Sequence, residues 1–329
     1  MFLQKNNLPD ELWVKKQEPL PRELANRKAN FDEEIKRNLL CREKFVVACG
    51  PCSADNVKAV SEYVRQLKRI AESCPDLLVI ARIYTTKPHS NSVGYRGMCF
   101  GQNQEAQTDF TDGILACRKM MIDCLDAGLP VADELLYPSL YKYFDDLVSY
   151  WFVGARSGEN AIQRDFASGL SVCCGIKNGT DGNIEKLIDS VQACSCGREF
   201  PFEGTHVVTD GNKLCHVVLR GGFDGQNYLS NIEPQHTAKA KELLKKKGLS
   251  CFVMADLSHA NSGKIAKLQV ENAKKIAADT NVDGAMAESY LFEGKSDNTY
   301  GVSRTDECVG IGDTQTILSI LQQGFEKRK

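Results

Sequence analysis

Five cations, Arg82, Lys87, Arg156, Lys177 and Arg220, each stand at or just beyond the end of a short apolar run, and Glu134, His259 and Glu288 mark the ends of three more. Cations gathered in one place repel unless an anion sits among them, because like charges withdrawn from water are costly. A small polyanion carrying a phosphate and a carboxylate resolves the conflict, with arginine supplying a two-pronged fork and lysine a point charge. A second set, Cys52, His259, Glu288 and Asp306, offers a thiolate, an imidazole and two carboxylates. Such a mixed donor set suits Mn²⁺, Fe²⁺, Co²⁺ or Zn²⁺ better than Mg²⁺, which prefers oxygen and water. Any one of these cations alone reads better as a surface or structural ion pair, and a lone histidine as a structural group. The case rests on their shared position in the chain's pattern.

That pattern is an alternation. Strands are expected at Phe45 to Cys49, Leu78 to Ile83, Val131 to Leu135, Phe152 to Arg156, Val172 to Lys177, His216 to Arg220, Phe252 to Asp256 and Gly284 to Glu288. Helix-like segments separate them: Val57 to Glu72, Asp112 to Ala127, Ser139 to Ser149, Asn160 to Ser168, Ile184 to Ala193, Thr237 to Lys247, Ile265 to Thr280 and Thr314 to Gln323. Strands each followed by a helix close more naturally into an α/β (β/α)₈ TIM barrel than they spread as an open sheet. In such a barrel the active site lies at the C-terminal strand ends, where the residues above fall, and the first strand neighbours the last. Cys52 is thereby brought beside Glu288 and Asp306.

Two segments interrupt the repeat. Tyr84 to Thr111 is a long polar connection of the kind that is usually functional. Glu199 to Lys213 reads as a β-hairpin inserted before the sixth barrel strand, with Asp210-Gly211-Asn212 as its turn signal. Residues 1–40 precede the 41–329 barrel, are charged and hold Pro9, Pro19 and Pro21; they are expected either to form an arm at a subunit interface or to be a disordered extension.

Composition narrows the function classes. A hydrophobic content of 42% supports a large core, and a net charge of −2 with interleaved signs argues against nucleic acid and anionic membrane as partners. No apolar run approaches the ~18 residues of a membrane span. The 14 cysteines sit mostly in apolar runs without repeated Cys-x-x-Cys spacing, so reduced thiols in the cytoplasm are expected rather than a disulfide framework.

The motifs Gly50-Pro51-Cys52-Ser53, Arg82-Ile83-Tyr84 with Lys87-Pro88, Gly154-Ala155-Arg156, Lys177-Asn178-Gly179-Thr180-Asp181-Gly182, Leu219-Arg220-Gly221-Gly222, Asp256-Leu257-Ser258-His259-Ala260-Asn261-Ser262 and Glu288-Ser289 occur in the order and spacing of type I 3-deoxy-D-arabino-heptulosonate 7-phosphate (DAHP) synthases, which the chain resembles from about Lys44 to about Leu321. The resemblance implies an enzyme of the shikimate pathway that condenses phosphoenolpyruvate with erythrose 4-phosphate, as a homodimer or homotetramer. It implies Cys52, His259, Glu288 and Asp306 as ligands of one divalent metal ion, and Arg82, Lys87, Arg156, Lys177 and Arg220 around phosphoenolpyruvate. Arg82, Lys87, Glu134 and His259 would then be the catalytic groups, with Lys87 a candidate proton donor and Glu134 orienting water or a lysine.

The acceptor loop departs from the family's pattern. Where members usually carry Lys-Pro-Arg-Thr, this chain reads Lys87-Pro88-His89-Ser90, so the arginine that grips the aldose phosphate in the family is missing. Either Arg96 or another cation replaces it, and the aldose lies against Pro88, His89, Ser90, Arg96 and Asp306, or the acceptor is a different aldose. Tyrosines in Leu135-Leu136-Tyr137-Pro138-Ser139-Leu140-Tyr141 fall where the family's aromatic-amino-acid inhibitor binds, so inhibition by phenylalanine or tyrosine is not expected although Ser171 is retained. Two alternatives stay open: a 3-deoxy-octulosonate 8-phosphate or sialic acid type synthase, whose acceptor-loop signature is absent, and a catalytically silent ligand sensor.

Overall fold

The computed structural model describes residues 1, 3–88, 94–104 and 107–329. Eight parallel strands close a barrel in chain order: β1 (Phe45–Gly50), β2 (Leu77–Arg82), β3 (Val131–Glu134), β4 (Val148–Val153), β5 (Cys173–Lys177), β8 (Cys215–Leu219), β11 (Val253–Asp256) and β12 (Gly284–Glu288). The hairpin β6 (Arg198–Phe202) and β7 (Thr205–Thr209) lies outside the ring before β8, and β9 (Gly222–Phe223) pairs with β10 (Tyr228–Leu229) after it. The β6–β7 turn is Glu203-Gly204 rather than the Asp-Gly-Asn signal downstream. Both turn residues have positive φ, 47° and 75°, as a two-residue hairpin loop with matching twist requires.

Helices α3 (Val57–Glu72), α4 (Phe110–Asp126), α5 (Ala161–Ser168), α6 (Ile184–Ser195), α7 (Pro234–Lys246), α8 (Leu268–Ala277) and α9 (Ile311–Glu326) surround the ring. The first four begin where Asn56, Asp109, Asn160 and Asn183 accept a backbone N–H in their first turns, so each N-cap side chain also ends a mouth loop. The expected helix over Ser139 to Ser149 does not form. Pro138–Tyr143 makes a short 3₁₀ turn, and β4 starts at Val148, upstream of the expected Phe152 to Arg156. The reason is visible in Val148-Ser149-Tyr150-Trp151-Phe152-Val153, a β-branched and aromatic run too stiff for a helix and suited to a pleated strand.

Strand parity sorts the core into two layers. Val46, Ala48, Leu78, Ile80, Ala132, Tyr150, Phe152, Cys173, Val218, Met254 and Met286 pack inside the ring, while Val47, Cys49, Val79, Ala81, Val217 and Ala255 face the helices. Continuing the inward parity to the strand ends selects Arg82, Glu134, Lys177, Arg220, Asp256 and Glu288, so the period of two that fills the barrel also aims the charged groups into its mouth. Within the core, Tyr150 shares a hydrogen bond with His216, whose pKa burial pushes down to about 4, keeping the ring neutral.

The N-terminal segment packs on its own chain. α2 (Arg22–Cys41) contributes Ile35 and Leu39 to the inner layer, and α1 (Glu11–Gln17) is anchored through Arg118. That fully buried guanidinium holds Asp146 through two bonds of 2.7 and 2.9 Å and donates to the carbonyls of Glu18 and Tyr143. Arg118→Leu strands those acceptors, and a loss of about 3 kcal/mol is expected because one partner of a desolvated pair is removed. A shift of the urea midpoint by a tenth of that size would show Arg118 to be ornamental.

Candidate active site

The mouth is a cavity of about 610 Å³ bordered by Arg82, Lys87, Glu134, Arg156, Lys177 and Arg220, with His259 and Asp306 on the same wall. Glycine makes room for this layer. A Cβ at Gly50 would overlap the Arg82 carbonyl, and one at Gly154 would overlap the Glu134 carboxylate. Side chains at those two strand ends would displace the groups that line the cavity.

Charge alternates around the wall. Asp256, fully buried, accepts from Lys177 Nζ at 3.1 Å and from His259 Nδ1 at 2.8 Å. His259 Nε2 lies 3.6 Å from Glu288 Oε1, which in turn takes Arg82 at 3.1 Å. Arg82 also donates to the Pro51 carbonyl and lies over the Tyr84 ring at 3.6 Å. Lys87 Nζ bridges Cys52 Sγ at 2.6 Å and Asp306 Oδ2 at 3.1 Å. Burial alone would raise the carboxyl pKa values of Asp256, Glu288 and Asp306, but His259 and the neighbouring cations outweigh it and hold all three below the ordinary range. Burial likewise outweighs Asp256 and Glu288 at His259, leaving its imidazole less basic than usual.

The ligand atoms of Cys52, Glu288 and Asp306 all lie within 4.8 Å of one another. His259 touches this group through Glu288 rather than joining it. Its backbone is left-handed, φ 52°, which a side-chain-bearing residue rarely adopts and which recurs at functional sites. The thiol of Cys52 is pushed up to about 12, by burial first and by Glu288 next. A sulfur ligand with two carboxylates beside it and an imidazole adjacent fits a divalent transition ion, which would be held by the thiolate form of Cys52.

The remaining sites divide. Arg220 is buried, and among the described residues its guanidinium bonds only the Gly221 carbonyl, at 3.4 Å; burial and the repulsion of Arg156 both lower its pKa. Arg156 is exposed beside the Pro88 carbonyl. Arg96 is not among the cavity's lining residues: its guanidinium lies 4.2 Å from the Phe100 ring centre and bonds Thr108 at 2.5 Å. His89 and Ser90 lie outside the described residues. Sequence reasoning passed over Asp256, which parity alone points to, and Lys264, Lys295 and Arg304, which reach the cavity from loops without periodic signal. It also passed over Asp133, whose carboxylate takes Thr85 N at 3.0 Å, Thr85 Oγ1 at 2.7 Å and Glu134 N at 2.7 Å. Asp133 thereby fastens the loop bearing Lys87 to the strand bearing Glu134. Beside it, Tyr137, Tyr141, Phe144 and Trp151 close over a cleft of only about 10 Å³.

A parallel barrel with a cationic mouth and a sulfur–carboxylate cluster at the junction of its first and last strands makes this a (β/α)₈ protein whose cavity suits an anionic small molecule and whose rim carries a possible metal-binding group. Comparison with known proteins narrows that class. Residues 41–322 match the model of the DAHP synthetase I family. The Phe-sensitive phospho-2-dehydro-3-deoxyheptonate aldolase of Escherichia coli is 35% identical over 304 residues, covering 87% of this chain and 85% of the relative. The enzyme of that name from Corynebacterium glutamicum is 34% identical over 313 residues, covering 87% and 83%. A solved structure of the Francisella tularensis phospho-2-dehydro-3-deoxyheptonate aldolase superposes with a TM-score of 0.93 at 29% identity, covering 100% of both chains. The chain belongs to the DAHP synthetase I family.

The Asp133 latch carries a pH signature. Burial raises its pKa from 3.8 to about 7. The folded state therefore binds a proton that the unfolded chain has lost, and stability contributed by this group declines as pH rises from about 4 to about 7. Asp133→Asn removes that dependence, so the variant's stability relative to the parent is expected to improve steadily across the window, by about 1.4 kcal/mol for each tenfold change in the proton equilibrium. Chemical denaturation at several pH values reads it; a flat difference contradicts it.

Proposed function

We propose that this protein condenses phosphoenolpyruvate with erythrose 4-phosphate and water to give 3-deoxy-D-arabino-heptulosonate 7-phosphate and inorganic phosphate, the opening step of aromatic amino acid biosynthesis. The observation that carries this reading is the buried cation Arg220, without an ion-pair partner among the described residues, on the cavity wall with Arg156 and Lys177, in a chain of this family that also has the Cys52, Glu288 and Asp306 cluster. A silent sensor has no need of both groups together.

The roles follow from the local electrostatics. Arg156, Lys177 and Arg220 take the enol phosphate, and Arg82, held rigid by Glu288 and the Pro51 carbonyl, faces the carboxylate. Holding both groups orients carbon 3 towards the acceptor aldehyde. As the carbon–carbon bond forms, the aldehyde oxygen gains charge and needs a proton. Lys87 supplies it: burial would lower its pKa, but Cys52, Asp306 and Glu288 raise it, so it is fully protonated. Glu134 at the β3 end orients the water that adds to carbon 2 before phosphate departs. Cys52, Glu288 and Asp306, with His259, would hold one divalent ion, Mn²⁺, Fe²⁺, Co²⁺ or Zn²⁺, which supplies Lewis acidity at the aldehyde oxygen when bound.

The free thiols fit a reducing cytoplasm. Residues 1–13, where Leu3, Leu8, Leu12 and Trp13 are exposed, supply an apolar surface for a second copy, in a homodimer or homotetramer.

Phosphate release on mixing the two substrates with the metal-loaded protein tests the activity, and product mass identifies the acceptor used. Cys52→Ala and Lys87→Ala are each expected to lower kcat by at least about a hundredfold, the scale of a lost general acid. Near-normal turnover by Lys87→Ala would remove that residue from the chemistry. Because the Tyr137–Tyr141 cleft is already filled, millimolar phenylalanine or tyrosine is expected to leave the rate unchanged, and micromolar inhibition would contradict the filled-cleft reading.

A further inference from the structure

The proposed reaction brings together two phosphorylated substrates, and the cationic wall has two separate arcs. The first arc, Arg156, Lys177 and Arg220, follows the adjoining strands β4, β5 and β8. The second, Lys264, Lys295 and Arg304, lies on the loops after β11 and β12. We propose that Lys264, Lys295 and Arg304 form the subsite for the acceptor's phosphate and make a terminally phosphorylated aldose the preferred acceptor; this rests on the condensation reading above.

Among the described residues, the local carboxylates do not account for Lys264 and Lys295. Asp306 is engaged by Lys87 at 3.1 Å, and among the described residues neither Lys264 nor Lys295 has a carboxylate within ion-pair distance. Lys264 is placed at a conformational cost. Gly263 and Lys264 follow one another in the left-handed region, φ 57° and 63°, and the Lys264 N–H closes the turn on the His259 carbonyl at 2.8 Å. A solvated surface lysine needs no such backbone. The turn brings Lys264 to the part of the wall that also carries His259 and Asp306. Arg304 borders the same cavity, its guanidinium 4.5 Å from the centre of the Tyr95 ring, and that ring is steadied by a bond from its hydroxyl to the Ala54 carbonyl at 2.9 Å. Arg96, the cation nearest in sequence to the altered Lys87-Pro88 loop, is committed to Phe100 and Thr108. The cavity of about 610 Å³ has room for two small substrates, and both arcs border it together with Asp306 of the cluster.

Steady-state kinetics of the metal-loaded protein with erythrose 4-phosphate and with unphosphorylated erythrose test the assignment. Lys264→Gln and Arg304→Gln are each expected to raise KM for erythrose 4-phosphate roughly tenfold or more, the size of one lost charge-assisted contact. KM for phosphoenolpyruvate should stay within about twofold in both, and the preference for the phosphorylated aldose should shrink, a split that general structural damage does not produce. Unchanged KM for erythrose 4-phosphate in both variants, or an equal rise for both substrates, overturns the subsite while leaving the reaction intact. No turnover of erythrose 4-phosphate by the unsubstituted protein overturns the reaction itself, and the subsite with it.

Discussion

The buried ion pair between Arg82 and Glu288 is the interaction on which the mouth depends. Both side chains are almost fully withdrawn from water, so each is tolerable only while the other is present. Glu288 draws His259 to one side and Arg82 to the other, and Arg82 reaches back to the carbonyl of Pro51 in the turn that delivers Cys52. One carboxylate thus ties β12, β2 and the β1 turn together. The alternation continues through Asp256 to Lys177, so most of the wall is self-neutralising. What it leaves without an ion-pair partner among the described residues, above all Arg220, is where the proposed substrate anion has something to gain.

This arrangement is inexpensive for the fold because it reuses the barrel's own periodicity. Inward positions low in the ring are apolar and close-packed around Tyr150, Phe152 and Phe252, with α2 adding Ile35 and Leu39. The same parity carried to the last inward position of each strand yields a charged or glycine residue, so the chemistry is one layer above the core rather than grafted on it. Rigid strands then hold the cations proposed to grip the first substrate. The groups proposed for the second sit on loops that can change without disturbing core or register.

That division also sets what could be read from the chain. Alternating β-branched runs made the barrel legible, and polar residues at their ends made the cationic arc and the Cys52, Glu288 and Asp306 cluster legible before any coordinates. The β3–β4 connection was not, because a 3₁₀ turn beginning at Pro138 and a short amphipathic run look alike over so few residues. Asp133 escaped notice because nothing in a linear pattern says that Thr85 offers it two donors from another strand. Arg96 looked available for an anion because it is charged and close in sequence to Lys87, yet aromatic stacking on Phe100 turns it away from the cavity. Sequence distance measures loop length; the direction of a side chain is decided by what it packs on.

Asp133 shows how far the same logic extends. A carboxylate buried without a cation is unfavourable, and its raised pKa records that cost. It is kept there by three donors, two of them from one threonine. Thr85 in turn offers its carbonyl to Cys99, so the β2 exit loop is fastened at both faces of one residue. Two residues further on, that loop presents Lys87, and one residue along its own strand Asp133 presents Glu134. The roles proposed for Lys87 and Glu134 need a fixed separation between the loop and the strand that carry them, and a rigid polar tether between their backbones is a direct way to set it. An apolar pair at Asp133 and Thr85 would pack as well, but it would leave the Thr85 and Glu134 N–H groups without acceptors and the loop free to slide.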